Sequence, residues 1–180
     1  MRTRTVGVVT GRFQPVHAQH VELFEMVLEE CDRLIVAVTN PDTGARHEEP
    51  TSAHRHTAAA NPFSYYERCL LLGAALEALG LGDQSVIVPF DLTRPQVWPD
   101  YVPLSSTHYV RVYGEWERQK AQWFTEAGYR VSVLDGDPEE RVSSSDIRES
   151  LRQGRFHDAV ADGTEGLLTE FLRARPLSER

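Results

Sequence analysis

Short apolar runs alternate along this chain with longer segments in which apolar residues recur every three or four positions. Residues 5–10, 34–38, 86–90, 109–113 and 129–134 are short and rich in β-branched or aromatic side chains, which predicts five strands. Residues 21–30, 64–79, 116–127, 146–153 and 165–174 carry helical spacing. The helix over 64–79 has a marked start, where Ser64 and Glu67 form an S-x-x-E capping box, and Gly80 and Gly82 end it. Strands separated by helix-length connections imply βαβ units with right-handed crossovers, hence a parallel sheet of the α/β class. Ligands of such sheets bind beyond the carboxyl ends of the strands, near a topological switch point. Chemistry is therefore expected in the residues that follow each strand.

Two stretches break the alternation. Residues 40–61 are polar, with Pro41, Gly44, Pro50 and three alanines at 58–60, and residues 91–107 hold three prolines and Trp98. A polar loop as long as the first is usually functional or disordered. At 180 residues the chain fits one domain, 1–180, with 154–180 as a short helical tail. No apolar run approaches the roughly 20 residues of a membrane span. The first ten residues lack the apolar core of a signal peptide. Cys31 and Cys69 lie in helix-like apolar patterns, so free thiols in a reducing cytoplasm are expected rather than a disulfide. The net charge of −8 argues against a broad nucleic-acid-binding face. A phosphate site must then be a local basic cluster on an acidic body.

Such a cluster follows the first strand, in Gly11-Arg12-Phe13-Gln14-Pro15-Val16-His17-Ala18-Gln19-His20. Gly11 permits a close backbone approach or an unusual φ, and Arg12 offers planar donors to phosphate oxygens. His17 and His20, three apart at a helix start, share a face. Backbone N–H groups and the helix dipole favour an anion at that point. Two imidazoles and a guanidinium there suit a triphosphate and stabilise charge on a phosphoryl group in flight. A lone H-x-x-H reads more plainly as a helix cap beside a solvated loop histidine. The G-R-F-Q-P that precedes it, straight after a strand, tips the reading to function.

The run GRFQPVHAQH resembles the G-R-F-Q-P-x-H-x-G-H signature of the HxGH nucleotidyltransferases. Most of the chain is similar to the archaeal-type nicotinamide mononucleotide (NMN) adenylyltransferases among them. NPFSYYER at 61–68 looks like their N-P-F-T-x-x-E-R segment, and Arg111-Val112-Tyr113 like their R-V-Y strand. Ser143-Ser144-Ser145-Asp146-Ile147-Arg148 resembles their triphosphate-gripping S-x-T-x-I-R motif. Trp98 falls where that family stacks a tryptophan on the nicotinamide ring. The resemblance implies a Rossmann-like fold with a five-stranded parallel sheet in the order 3-2-1-4-5. It also implies in-line attack of an acceptor's phosphate oxygen on the α-phosphorus of a nucleoside triphosphate, with release of pyrophosphate. On matching positions, His17 and His20 would contact the α-phosphate and Arg12 would hold phosphate. Ser144, Ser145 and Arg148 would hold the β- and γ-phosphates. Gly11, Phe13, Gln19, Gly114 and Ser143 complete the expected nucleotide site. Mg2+ would be carried by the phosphates, with no protein ligands. Read without the resemblance, SSSD is also an ordinary helix N-cap.

Three departures from the family pattern bear on substrate. The glycine of H-x-G-H is Gln19 here, whose side chain narrows the base pocket toward a pyrimidine or reads a base edge. Ala60 stands where the archaeal-type enzymes tend to place an arginine for the acceptor's phosphate, and losing such a charged hydrogen bond costs roughly 1.5–3 kcal/mol. Gly114-Glu115-Trp116 replaces S-x-N on the side expected to meet the base. The loop over 40–61 holds Arg46, His47, His54, Arg55 and His56, a basic patch that reads as a clamp for a small, highly charged acceptor. A solvated loop is a second reading; a zinc site is a third, against which the spacing and the missing cysteines speak. Asn61 and Trp98 join the expected acceptor site, although a core aromatic is the plainer reading of Trp98. The favoured activity is CTP-dependent cytidylyl transfer to a small phosphonate such as phosphonoformate. The alternatives are NMN adenylyl transfer from ATP and a non-catalytic nucleotide-binding sensor. No nucleic-acid or membrane partner is expected, and self-association is left open.

Overall fold

Strand β1 (Val6–Gly11) lies at the centre of a five-stranded sheet in a computed structural model that describes residues 5–52 and 54–177. It is followed by β2 (Arg33–Thr39), β3 (Ser85–Phe90), β4 (Thr107–Val112) and β5 (Arg130–Asp135). The strands are ordered 3-2-1-4-5, as the resemblance implies, and every pairing is parallel, as the alternation of strands and helices predicts. The chain leaves β1 toward β2 on one side and reaches β4 on the other, so the switch point falls between β1 and β4. The first four residues of the amino-terminal segment and the last three of the predicted tail lie outside the described residues.

Side chains alternate across the sheet and both faces are covered. Val9, Leu34, Val36 and Val38 face α1 (Ala18–Glu30), α2 (Tyr65–Ala78), α5 (Ser144–Arg152) and α6 (Glu165–Ala174). Val8, Ile35, Ala37 and Val110 face α4 (Glu115–Glu126) and the four-residue α3 (Trp98–Tyr101). At Gly7 an added Cβ would overlap the Val27 side chain, so α1 rests directly on the β1 backbone. The tail contributes Leu168, Phe171 and Leu177 to the first of these cores. No helix among the described residues is long and apolar enough to cross a membrane.

Three elements differ from the sequence expectation in ways that matter for the site. Helix α1 starts at Ala18 rather than residue 21, because its first turn is the histidine motif itself. His17 is the N-cap in extended backbone, and its N–H donates to His20 Nδ1 at 3.2 Å. Apolar periodicity cannot register a turn built from Ala18, Gln19 and His20. The 40–61 loop contains two 3-10 turns, Thr43–Ala45 and Ala58–Ala60, capped by the side chains of Asp42 and Thr57. The 91–107 stretch carries α3, which plants Trp98 in the core.

Candidate active site

Beyond β1 the chain turns through Phe13, whose φ of 51° lies in the left-handed region. The turn is pinned by two residues whose side chains point inward. Gln14 donates to the Phe63 carbonyl at 3.0 Å and accepts from the Phe63 N–H at 2.9 Å. Buried Arg68 donates to the carbonyls of Arg12 (2.9 Å), Thr39 (2.7 Å) and Asn40 (2.7 Å). The NPFSYYER segment therefore fastens the β1 loop to the end of β2. Three backbone carbonyls near a cavity are satisfied by one planar side chain.

A cavity of about 710 Å³ opens at this end of the sheet, within the size range of small-molecule sites. One wall is the β1 loop and the start of α1; a second is α4 from Gly114 to Lys120; a third is Ser143–Ser145 at the start of α5. Pro50, Thr51, Ser52, His54 and Arg55 close it from the long loop. The His17 and His20 rings stack with centroids 3.6 Å apart, and Phe13 meets His20 edge-on at 4.8 Å. Burial pushes His17 down to about 3, helped by the charges of Arg141 and His157. Burial first, then His17 and Lys120, hold His20 well below the usual imidazole range. Both rings are thus neutral at physiological pH. His17 Nδ1 is buried and has no hydrogen-bond partner among the described residues. A neutral imidazole brings one N–H donor and no charge, so the positive potential of the site comes from elsewhere.

That potential is concentrated. Arg12 is pushed down to about 8, by burial first and then by the charges of Arg55, Arg148, Arg68 and Arg141. A guanidinium so depressed is in a crowd of cations that an anion would relieve. Arg12 itself donates to the carbonyls of Arg55 (3.3 Å) and Ala60 (3.0 Å), drawing the long loop onto the β1 turn. Ser143 caps α5, its hydroxyl accepting from the Ser145 N–H at 3.2 Å. Ala18's N–H, at the start of α1, donates to Ala159 O instead of facing the cavity.

The expected site residues divide. Arg12, Gly11, Phe13, His17, Gln19, His20, Gly114, Ser143, Ser144 and Ser145 all border the one cavity, joined by His54 and Arg55. Arg148 stands just behind the wall, donating to Gln14 O at 2.8 Å and Ser145 Oγ at 3.1 Å. Gln19 does not hang free to read a base. Its Nε2 donates to Glu140 O (2.7 Å), and its Oε1 accepts from Tyr113 OH (3.2 Å) and Val142 N–H (2.8 Å). Asn61 is buried and holds the long loop together by donating to Arg55 O and Thr57 O, so it is a strut rather than an acceptor ligand. Trp98 is 1% exposed, stacks on Phe90 and donates to Asp91 O at 2.7 Å; it is a core residue and does not reach the cavity. Arg46 and His56 do not border the cavity. His47 lines a separate crevice of about 30 Å³ that shares Arg12, Arg55 and Trp116 with it. Of the basic patch, only His54 and Arg55 reach the main cavity.

Sequence reasoning found helix α4 but missed the charged residues that it and the loop after β5 bring to the site. Glu117, with its side chain 8% exposed, binds Arg141 at 2.9 Å, approaches Arg55 at 3.8 Å and accepts from the Gly114 N–H at 3.0 Å. Arg55 lies over the Trp116 ring at 4.8 Å and Arg141 over Tyr113 at 5.0 Å. Lys120 donates to Thr10 O at 2.9 Å. A signal was present: Glu117, Ala121 and Phe124 follow helical spacing on the apolar stripe of α4, so an acid occupies a buried position and requires a cationic partner. Among the described residues no group of three His, Cys, Asp or Glu side chains is placed to hold a metal ion.

Known proteins resemble this chain in sequence and fold. The chain is 35% identical over 150 residues to a phosphonoformate cytidylyltransferase from Streptomyces viridochromogenes, covering 83% of this chain and 82% of that protein. It is 29% identical over 149 residues to a nicotinamide-nucleotide adenylyltransferase from Thermococcus onnurineus, covering 82% and 73%. Among solved structures, the bifunctional NMN adenylyltransferase/ADP ribose pyrophosphatase from Francisella tularensis matches the fold with a TM-score of 0.72 at 17% identity, over 98% of this chain and about half (52%) of that one. With residues 8–150 matching the cytidylyltransferase-like family model and the H-x-x-H and S-S-S-D-I-R motifs meeting at one cavity, the chain belongs to the cytidylyltransferase-like family and is a nucleotidyltransferase.

Proposed function

We propose that this nucleotidyltransferase moves a cytidylyl group from CTP to a small phosphonate, of which phosphonoformate is the type, and releases pyrophosphate. The observation that carries the reading is the cavity itself. Its wall carries the Gln19–Tyr113 pair where the family signature has glycine, which in this reading narrows the base side, and its Arg12 lies in the field of Arg55, Arg148, Arg68 and Arg141. A narrow base pocket favours a pyrimidine. A dense positive field favours a compact acceptor of high charge.

An acceptor phosphonate oxygen attacks the α-phosphorus; the new P–O bond forms as the bond to the bridging oxygen of the β-phosphate breaks, and the electron pair leaves on pyrophosphate. His17 and His20, as neutral donors, hydrogen-bond the non-bridging α-phosphate oxygens as charge builds there. Arg12 supplies fixed positive charge. Ser144, Ser145 and the α5 amino end hold the β- and γ-phosphates. Arg148 keeps Ser145 and the Gln14 carbonyl in place behind them. Arg55 and His54 face the acceptor. The buried carboxylate of Glu117 is engaged by Arg141 and the Gly114 N–H, so in this reading Mg2+ would be carried by the phosphates rather than by protein ligands. When bound, it neutralises phosphate charge.

The test is pyrophosphate release from CTP and from ATP, each offered phosphonoformate and NMN. Turnover of CTP with phosphonoformate, well above the other three pairs, is expected. Turnover restricted to ATP with NMN would reassign the enzyme. Tight nucleotide binding without turnover of any pair would make it a sensor. Trp98, which falls where the family stacks a tryptophan on nicotinamide, is buried in the core and does not border the cavity, which favours the CTP reading.

A further inference from the structure

Lys120 extends from α4 to the carboxyl end of β1, where its Nζ donates to Thr10 O at 2.9 Å and borders the cavity. A lysine has three N–H donors, and no other hydrogen bond or ion pair engages this one among the described residues. The buried carboxylate in its field, Glu117, is already bound by Arg141 at 2.9 Å and by the Gly114 N–H at 3.0 Å. Its leading charged neighbour is instead a like charge, Arg55, followed by Glu117 and Arg141; His20 and His108 also lie in its field. A cation held against a strand end, with the one carboxylate in its field engaged by other partners, is costly unless a ligand supplies an anion. In the proposed reading the triphosphate already has Arg12, two imidazoles, Ser144, Ser145 and the start of α5. Lys120 borders the same cavity from α4, and its leading charged neighbour is Arg55 of the long loop, not a triphosphate residue.

We propose that Lys120, with Arg55, forms a second anion subsite that takes the carboxylate of a phosphonocarboxylate acceptor and so selects acceptors with two acidic groups over simple phosphonates. The inference rests on the nucleotidyl-transfer reading above and assigns its acceptor chemistry. Four quantities test it with the full chain: KM for phosphonoformate, the inhibition constant of methylphosphonate against it, KM for CTP, and thermal stability. The wild-type enzyme is expected to prefer phosphonoformate over methylphosphonate by about tenfold or more, the value of one charged hydrogen bond. Lys120→Met and Lys120→Gln are expected to raise the phosphonoformate KM by about tenfold, with the methylphosphonate constant and the CTP KM changed by less than about threefold. Equal losses for both acids, or a raised CTP KM, would assign Lys120 to the triphosphate and overturn the proposal. A wild-type ratio near one overturns it even if both variants misfold. Failure of the wild type to turn over phosphonoformate with CTP, by contrast, defeats the proposed function itself and takes the subsite with it.

Discussion

The Arg148 guanidinium donates to the Gln14 carbonyl at 2.8 Å, joining residues 134 positions apart. Its other amino group reaches Ser145 Oγ at 3.1 Å. One side chain thus ties the amino end of α5 to the turn that follows β1, and the two motifs become walls of a single cavity. A guanidinium can serve both oxygens because its donors form a planar fork; an ammonium on a flexible stem cannot hold the same pair of directions. Arg148→Lys is expected to lower kcat/KM for the nucleotide by about tenfold or more, despite the retained charge. Steady-state kinetics at saturating acceptor checks this. A variant as active as wild type would mean charge alone matters there.

His17→Ala removes a neutral donor from the face of the cavity. Because burial keeps the imidazole uncharged, ground-state attraction for the nucleotide owes little to it. The expected result is a fall of roughly 10²–10³ in kcat, as for loss of one transition-state donor, with nucleotide affinity within about threefold. Parallel losses in kcat and in CTP binding would move His17 from catalysis to binding.

The fold and the histidine motif were legible in the sequence because each was carried by contiguous residues. Strand runs announce themselves in four to six positions, and G-R-F-Q-P followed by H-x-x-H lies between β1 and α1 without interruption. What was not legible depended on pairing across the chain. Gln19 read as a side chain that narrows the base pocket or reads a base edge, and its amide is in fact occupied by Tyr113, Glu140 and Val142. Arg46 and Arg55 are both loop arginines nine positions apart in sequence, yet only Arg55 reaches the cavity, because Arg12 and Asn61 bind its backbone carbonyl and Trp116 receives its side chain. The family resemblance set Trp98 as a stacking platform beside the plainer reading of a core aromatic, and α3 settles it in the core by turning it onto Phe90 and Phe124.

That division of the basic patch predicts unequal mutants. Arg55→Gln removes a cavity-facing cation and is expected to raise the acceptor KM by about tenfold while leaving the CTP KM near wild type. Arg46→Gln is expected to leave both within about twofold, since Arg46 does not border the cavity. Equal effects of the two substitutions would mean that the loop as a whole, not Arg55, attracts the acceptor.

His108 is buried against Phe124, at a ring distance of 3.9 Å, with Nε2 unpartnered and Nδ1 3.4 Å from Thr10 Oγ1. Burial, and then the charge of Lys120, push it down to about 3. In the unfolded chain the same group titrates near 6.5, so the native state favours its neutral form. The stability this confers is complete above that value and is lost as pH falls below it, since the unfolded chain then takes up a proton that the native chain refuses. Between about pH 6 and pH 4 this one residue adds a slope of about 1.4 kcal/mol per pH unit. His108→Phe, which keeps the stacking, is expected to flatten the wild-type dependence by that amount in urea unfolding. An unchanged slope would place the proton elsewhere.

Gln19 stands where the family signature has glycine, and it is held by three hydrogen bonds that also fix the loop after β5 and the Tyr113 hydroxyl. Arg141, the cation of that loop, lies over the Tyr113 ring and binds Glu117. Gln19→Gly would therefore do two things at once: empty space on the base side of the cavity and release Tyr113 with its loop. Extra room benefits a purine more than a pyrimidine, whereas a loosened loop weakens every nucleotide alike. The ratio of kcat/KM for CTP to that for ATP isolates the first effect, because the second cancels in it. That ratio is expected to fall by about tenfold. A ratio that stays constant while both values drop would show that the glutamine braces the loop and has no part in choosing the base.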